Sequence, residues 1–114
     1  MLDMADLDAI LGALADPIRR TIVERLVRDG DKTVGEIVAP FAISPPAISR
    51  HLQILERAGL IERRVHKQWR VVRIKPDALR DVESWVARQR RHWAQALDRL
   101  DAAIAEDMPK GRKS

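Results

Sequence analysis

The chain contains no cysteine, which removes disulfides, thiolate metal sites, cysteine nucleophiles and thiol redox sensing in one step. A reducing, cytoplasmic setting is consistent with that. Aromatic residues are scarce, three Trp and one Phe among 114 residues, so Leu, Ile, Val and Ala must fill the core. Long apolar runs are missing as well. The longest uncharged stretch, Ile37 to Ser49, is interrupted by three prolines, and the opening MLDMADLD is acidic where a secretion signal needs a basic start. No segment is expected to cross or enter a membrane. There is no glycine-rich phosphate loop and no pair of acids placed for a cleft, so no catalytic residue is assigned and an enzyme is not expected.

What is present fits one globular domain, 46% hydrophobic and 33% charged, of a size that buries a workable but limited core. Support from a second copy of the chain is plausible at this length. The net charge of +4 is modest, but its placement is uneven. Residues 1 to 43 sum to −3, residues 44 to 75 to +6 and residues 76 to 114 to +1. A positive field confined to one segment is what a polyanion site looks like; the plainer alternative is a solvated surface.

Leu7, Ile10, Leu11 and Leu14 recur at helical spacing and predict a first helix over about 4 to 14. Asp16-Pro17 restarts the chain as N-cap and first helical position of a second helix, with Ile18, Ile22, Val23 and Leu26 as its stripe and Gly30 at its end. Thr33 and Glu36 have capping-box spacing and open a short third helix running to about Pro40. A few residues later Ser44 caps a fourth, so the pair reads as a helix-turn-helix. Leu60 to His66 and Trp69 to Ile74 then read as a hairpin. Its Lys67-Gln68 connection lacks the Gly or Asn of a tight turn, and the turn may be expected to take in His66. Pro76-Asp77 opens a long last helix reaching about Glu106. The expected fold is mainly α with a small β-hairpin, about five helices plus a two-stranded wing, in one domain over 1–107 followed by a flexible basic tail over 108–114.

The fourth helix is the informative one. Pro45 and Pro46 fall in its first turn, where N–H groups have no intrahelical partner, so they cost little and fix its direction. Ile48, Leu52 and Leu55 line one face, and Pro46, Ser49, Arg50 and Gln53 line another. Short polar side chains beside an arginine suit a helix that enters the major groove, since Arg pairs with the two acceptors of guanine and small residues permit close approach. Ser44 and the backbone at the helix start could hold a phosphate. Arg63, Arg64, Lys67 and Arg70 of the hairpin would meet phosphates or reach the minor groove. A phosphate contact by Arg50 is the alternative to base reading. On the last helix Leu79, Val86, Trp93 and Leu100 fall seven apart, with Val82, Gln89, Ala96 and Ala103 as a companion row. Together with Leu7 and Leu11 of the first helix, Leu79, Val82, Val86, Trp93, Ala96 and Leu100 form the candidate dimer interface.

Taken together, LADPIRRTIVERL, TVGEIVAPFAISPPAISRHLQILERAGLIERR and WRVVRIKPDALRDVESW resemble the ArsR family of winged helix-turn-helix transcription repressors, over residues 7 to about 104. The resemblance implies a homodimer bound to double-stranded DNA, the fourth helix in the major groove and the wing against an adjacent minor groove or backbone. The alternative is a winged helix used for protein assembly, for which a +6 segment would serve no purpose.

Many members of that family release DNA on binding a metal or thiol-reactive ligand. Here the third helix offers no sulfur. On the last helix Asp81 and Glu83 match the first half of the family's zinc pattern, but Ala94 and Leu97 stand where its later ligands belong, and His92 is isolated. No metal, no cofactor and no particular inducer ligand is therefore assigned. His51 lies about 200° round the helix from Ser49, too far for a nucleophile–base pair, and is expected to pack, partly buried, beside Leu55. Trp69, Trp85 and Trp93 could each stack on bases, but Trp85 and Trp93 sit on the long helix, where packing at a seam is the expected role.

Overall fold

The computed structural model describes residues 4–107. The order is α1 (Met4–Ala15), α2 (Pro17–Asp29), β1 (Lys32–Thr33), α3 (Val34–Val38), α4 (Pro45–Arg57), β2 (Ile61–His66), β3 (Trp69–Ile74) and α5 (Pro76–Asp107). These residues divide into two compact units, one ending at Val82 and the other beginning at Glu83, within α5. The expected tail at 108–114 lies outside the described residues.

In the first unit α2, α3 and α4 each begin on a cap that the sequence supplies. Asp16 accepts the Arg19 backbone N–H at 3.0 Å, with Pro17 at the first position of α2. Thr33 and Glu36 exchange both bonds of the capping box, at 3.1 and 2.9 Å. Ser44 accepts the Ala47 N–H at 3.3 Å. α4 ends where Gly59 turns left-handed, at φ 77°, and the Leu60 N–H reaches back to the Leu55 carbonyl at 3.0 Å.

The sheet has three strands in the order β1-β3-β2, both pairings antiparallel. The two-stranded wing of the sequence reading thus gains a third strand, Lys32–Thr33, paired with Val72 and Val71. The wing turn stays at Lys67–Gln68, with His66 paired to Trp69. Lys67 takes the left-handed backbone, φ 57°, that Gly or Asn would adopt at less cost.

The core is aliphatic. Ile22, Val23 and Leu26 of α2 meet Ile48, Leu52 and Leu55 of α4, and Leu60, Ile61 and Val72 close it from the sheet side. Because α4 spends one full face on this cluster, its opposite face has nowhere to go but outward. Two polar ties fix its setting. Arg19 donates to the Ala13 carbonyl at 2.8 Å and lies 3.2 Å from His51 Nδ1, joining the end of α1 to α4. Arg25 stacks over Phe41, 5.1 Å from the ring centre, and pins the α3–α4 connection to α2.

Candidate nucleic-acid interface

Ser49 and Gln53 of α4 share a groove of about 460 Å³ with Arg63, Arg64, Val65 and Arg70 of the wing. Strand alternation accounts for the wing side. Ile61, Arg63 and Val65 point the same way along β2, as do Arg70, Val72 and Ile74 along β3, so the face that seats Ile61 and Val72 in the core presents the arginines to α4 farther out. Arg50, Lys67, Ser44 and Pro46 are exposed but do not line this groove. The candidates therefore fall into one groove, one neighbouring arginine on the same helix, the wing tip and the helix start.

Charge in this region is regulated by two acids. Glu56 at the end of α4 accepts Arg63 through both Nε, at 3.3 Å, and Nη2, at 3.0 Å. Glu62 faces Arg64 at 3.0 Å and Arg73 at 3.6 Å. Among the described residues Arg50, Lys67 and Arg70 make no ion pair. Arg63 is thereby committed to holding the wing against α4, a geometric task that the sequence reading did not assign to it. Arg50, Lys67 and Arg70 carry the open positive charge.

The expected phosphate site at the start of α4 needs correction. A helix N-terminus binds anions through free backbone N–H groups. Pro45 and Pro46 have none, and the Ala47 N–H is taken by Ser44 Oγ. What remains there for an anion is the Ser44 hydroxyl and its own N–H.

His51 is partly buried, as expected, but its environment is more polar than packing beside Leu55 implies. Its Nδ1 faces Arg19 and lies 3.8 Å from Asp16 Oδ2. Facing a guanidinium donor, Nδ1 of the neutral ring is the acceptor and Nε2 carries the hydrogen. The Arg19 backbone N–H holds the Asp16 carboxyl below the usual carboxylate range, against its partial desolvation and with the Arg19 charge acting in the same direction. This cluster faces the scaffold rather than the groove. It was legible only as an Asp-Pro cap and a lone histidine.

Of the candidate interface residues, Leu7 is corrected outright: at 2% exposure it is buried within the chain and has no surface to offer a partner. Leu79 and Val82 pack against the core of the first unit. In the second unit Val86, Trp93 and Leu100 are exposed and Ala96 is half-buried. Leu97 and Ile104, absent from the expected set, are exposed beside them. At 3.6 residues per turn Val86, Trp93, Leu97, Leu100 and Ile104 fall within about 60° of arc, one apolar stripe. Among the described residues no group of three or more His, Asp or Glu is placed to hold a metal, and no helix is long and apolar enough to cross a membrane.

A polar-faced helix entered through a short helix and a turn, and followed by a cationic ribbon on a three-stranded sheet, defines a winged helix-turn-helix of the DNA-binding regulator class. A family model described as bacterial regulatory protein, arsR family, matches residues 16–63. The transcriptional repressor SdpR of Bacillus subtilis is 36% identical over 77 residues, 68% of this chain and 84% of its own. The HTH-type transcriptional regulator Rv2034 of Mycobacterium tuberculosis is 38% identical over 90 residues, 75% and 83% of the two chains. The crystal structure of an ArsR family transcriptional regulator, RHA00566, superposes with a TM-score of 0.75 at 34% identity, covering 82% of this chain and 95% of that one. The chain belongs to the arsR family of bacterial regulatory proteins.

Proposed function

We propose that the chain is a homodimeric repressor that binds a palindromic operator, with α4 in the major groove and the wing on the neighbouring backbone or minor groove. The observation that carries this reading is the groove in which Ser49 and Gln53 meet the wing arginines, with Arg50 exposed on the same helix face. In that arrangement Arg50 and Gln53 read base edges, Ser49 keeps the helix close, and Lys67, Arg70 and Arg64 neutralise phosphates. Arg63 holds the wing in place. The apolar stripe of α5 supports the dimer, since an exposed row of this length in a small protein marks a partner surface. Val86, Trp93, Ala96 and Leu100 of the second unit are the interface residues this reading keeps. No metal or cofactor enters it.

Arg50→Ala is expected to keep the wild-type melting temperature, because the side chain is exposed and unpaired among the described residues. It should lose about 1–3 kcal/mol of discrimination between the operator and a duplex altered at the contacted base. Competition gel shifts measure this. An equal loss of affinity for both duplexes would reassign Arg50 to a phosphate.

A further inference from the structure

At the free end of the wing Val65 and Trp69 are 76% and 53% exposed. The strand register explains the placement of the indole. Trp69 pairs with His66 directly across the Lys67–Gln68 turn, so it lies on the face of Glu62, Arg64, Val71 and Arg73, opposite the face that carries Ile61 and Val72 into the core. The ring belongs neither to the core cluster nor to the groove beside α4. Trp69 has no packing task in the first unit. Its surroundings are cationic: Arg64 and Arg73 share its face, both drawn to Glu62, and Lys67 at the turn makes no ion pair among the described residues.

An apolar plate ringed by positive charge matches a surface on which negative charges flank an apolar floor. The minor groove of duplex DNA is such a surface: phosphates run along its two edges, while sugars and base edges lie between them. Apolar side chains that enter it can part a base step and bend the duplex. A protein pocket for the indole would have no need of the surrounding cations.

We infer that Trp69 packs into the minor groove flanking each half-site and opens a base step there, so that affinity depends on how readily the flanking DNA deforms. The inference rests on the reading in which the wing lies on DNA. Pyrimidine–purine steps unstack easily and A-tracts resist, which gives sequence preference without a hydrogen bond to any base.

The test uses two duplexes with identical half-sites, one flanked by TA steps and one by A-tracts, with affinity read by anisotropy and bending by end-to-end energy transfer. The intact protein should favour the TA-flanked duplex by about tenfold for each flank, about a hundredfold for the two flanks of a dimer, in line with the usual worth of one aromatic–base contact apiece. Trp69→Ala should bind both alike with a smaller bend, and Trp69→Phe should retain part of the preference. Both variants should melt as the parent does, since the ring is outside the core. No flank preference in the intact protein, or an undiminished preference and bend in Trp69→Ala, overturns the inference. A uniform loss on both duplexes with the preference kept overturns it too. Removing the charges of Arg64, Lys67 and Arg70 separates this failure from a failure of the wing reading. If those charges matter while Trp69 does not, only the Trp69 inference falls; if they do not matter, the wing is not on DNA at all.

Discussion

Replacing Arg64, Lys67 and Arg70 together by alanine is expected to lower affinity for the proposed operator on the order of a thousandfold at physiological salt and to flatten its salt dependence. Each cation that neutralises a phosphate contributes about 0.9 to the log–log salt slope, so six such groups in a dimer account for a slope of about 5. Arg63 is deliberately left in place. Its two bonds to Glu56 tie wing to helix, and removing it would confound lost charge with a displaced wing. Arg64 keeps a share of its charge for DNA because its pair with Glu62 is largely solvent-exposed, and such pairs contribute little. Fluorescence anisotropy over a range of salt measures both quantities. Unchanged affinity with an unchanged slope would favour the assembly-module reading, in which the ribbon has no polyanion to meet.

Leu52→Ala is expected to destabilise the protein by about 3 kcal/mol, lowering the melting temperature by roughly 15 °C. Leu52 is fully buried at the centre of the cluster between α2, α4 and the sheet, where the neighbours cannot collapse into the space it leaves. For a domain of typical stability this is a large fraction of the total. Denaturant titration measures it directly. A loss below about 1 kcal/mol would mean that α4 is not seated on the core through this face. Operator binding by the surviving folded fraction should stay selective, because the outward face is untouched.

Local chemistry was well written in the chain. Asp16-Pro17, Thr33 with Glu36, Ser44 before two prolines and Gly59 each announce a helix boundary through one residue's own hydrogen bonding, and each is where the structure has it. Features that depend on distant pairing were not. Lys32–Thr33 is too short to show any alternation, and it becomes a strand only because Val71 and Val72 lie beside it. The Arg63–Glu56 tie depends on where β2 leaves α4, which sequence spacing does not specify. Leu7 looked like one member of a helical stripe among four, and only packing decides which of them the core consumes. Leu97 and Ile104 fall outside the seven-residue row of Val86, Trp93 and Leu100, and they join its stripe because a straight helix drifts off that repeat.

The backbone part of the phosphate expectation at Ser44 loses its donors for a reason visible in the letters themselves. Two prolines that make the first turn cheap also strip it of the donors an anion needs. Under the proposed reading, the same substitution of rigidity for hydrogen bonding leaves phosphate binding to the wing, where Lys67 and Arg70 make no ion pair among the described residues.

Selection of bound sequences from random duplex DNA by the purified full chain is the most direct test that α4 and the wing together read an operator. The expected outcome is a palindrome whose half-sites lie about one helical turn, roughly 34 Å, apart, with the strongest positions reduced by Arg50→Ala. Recovery of no preferred sequence at low salt, from protein verified as folded, would contradict it.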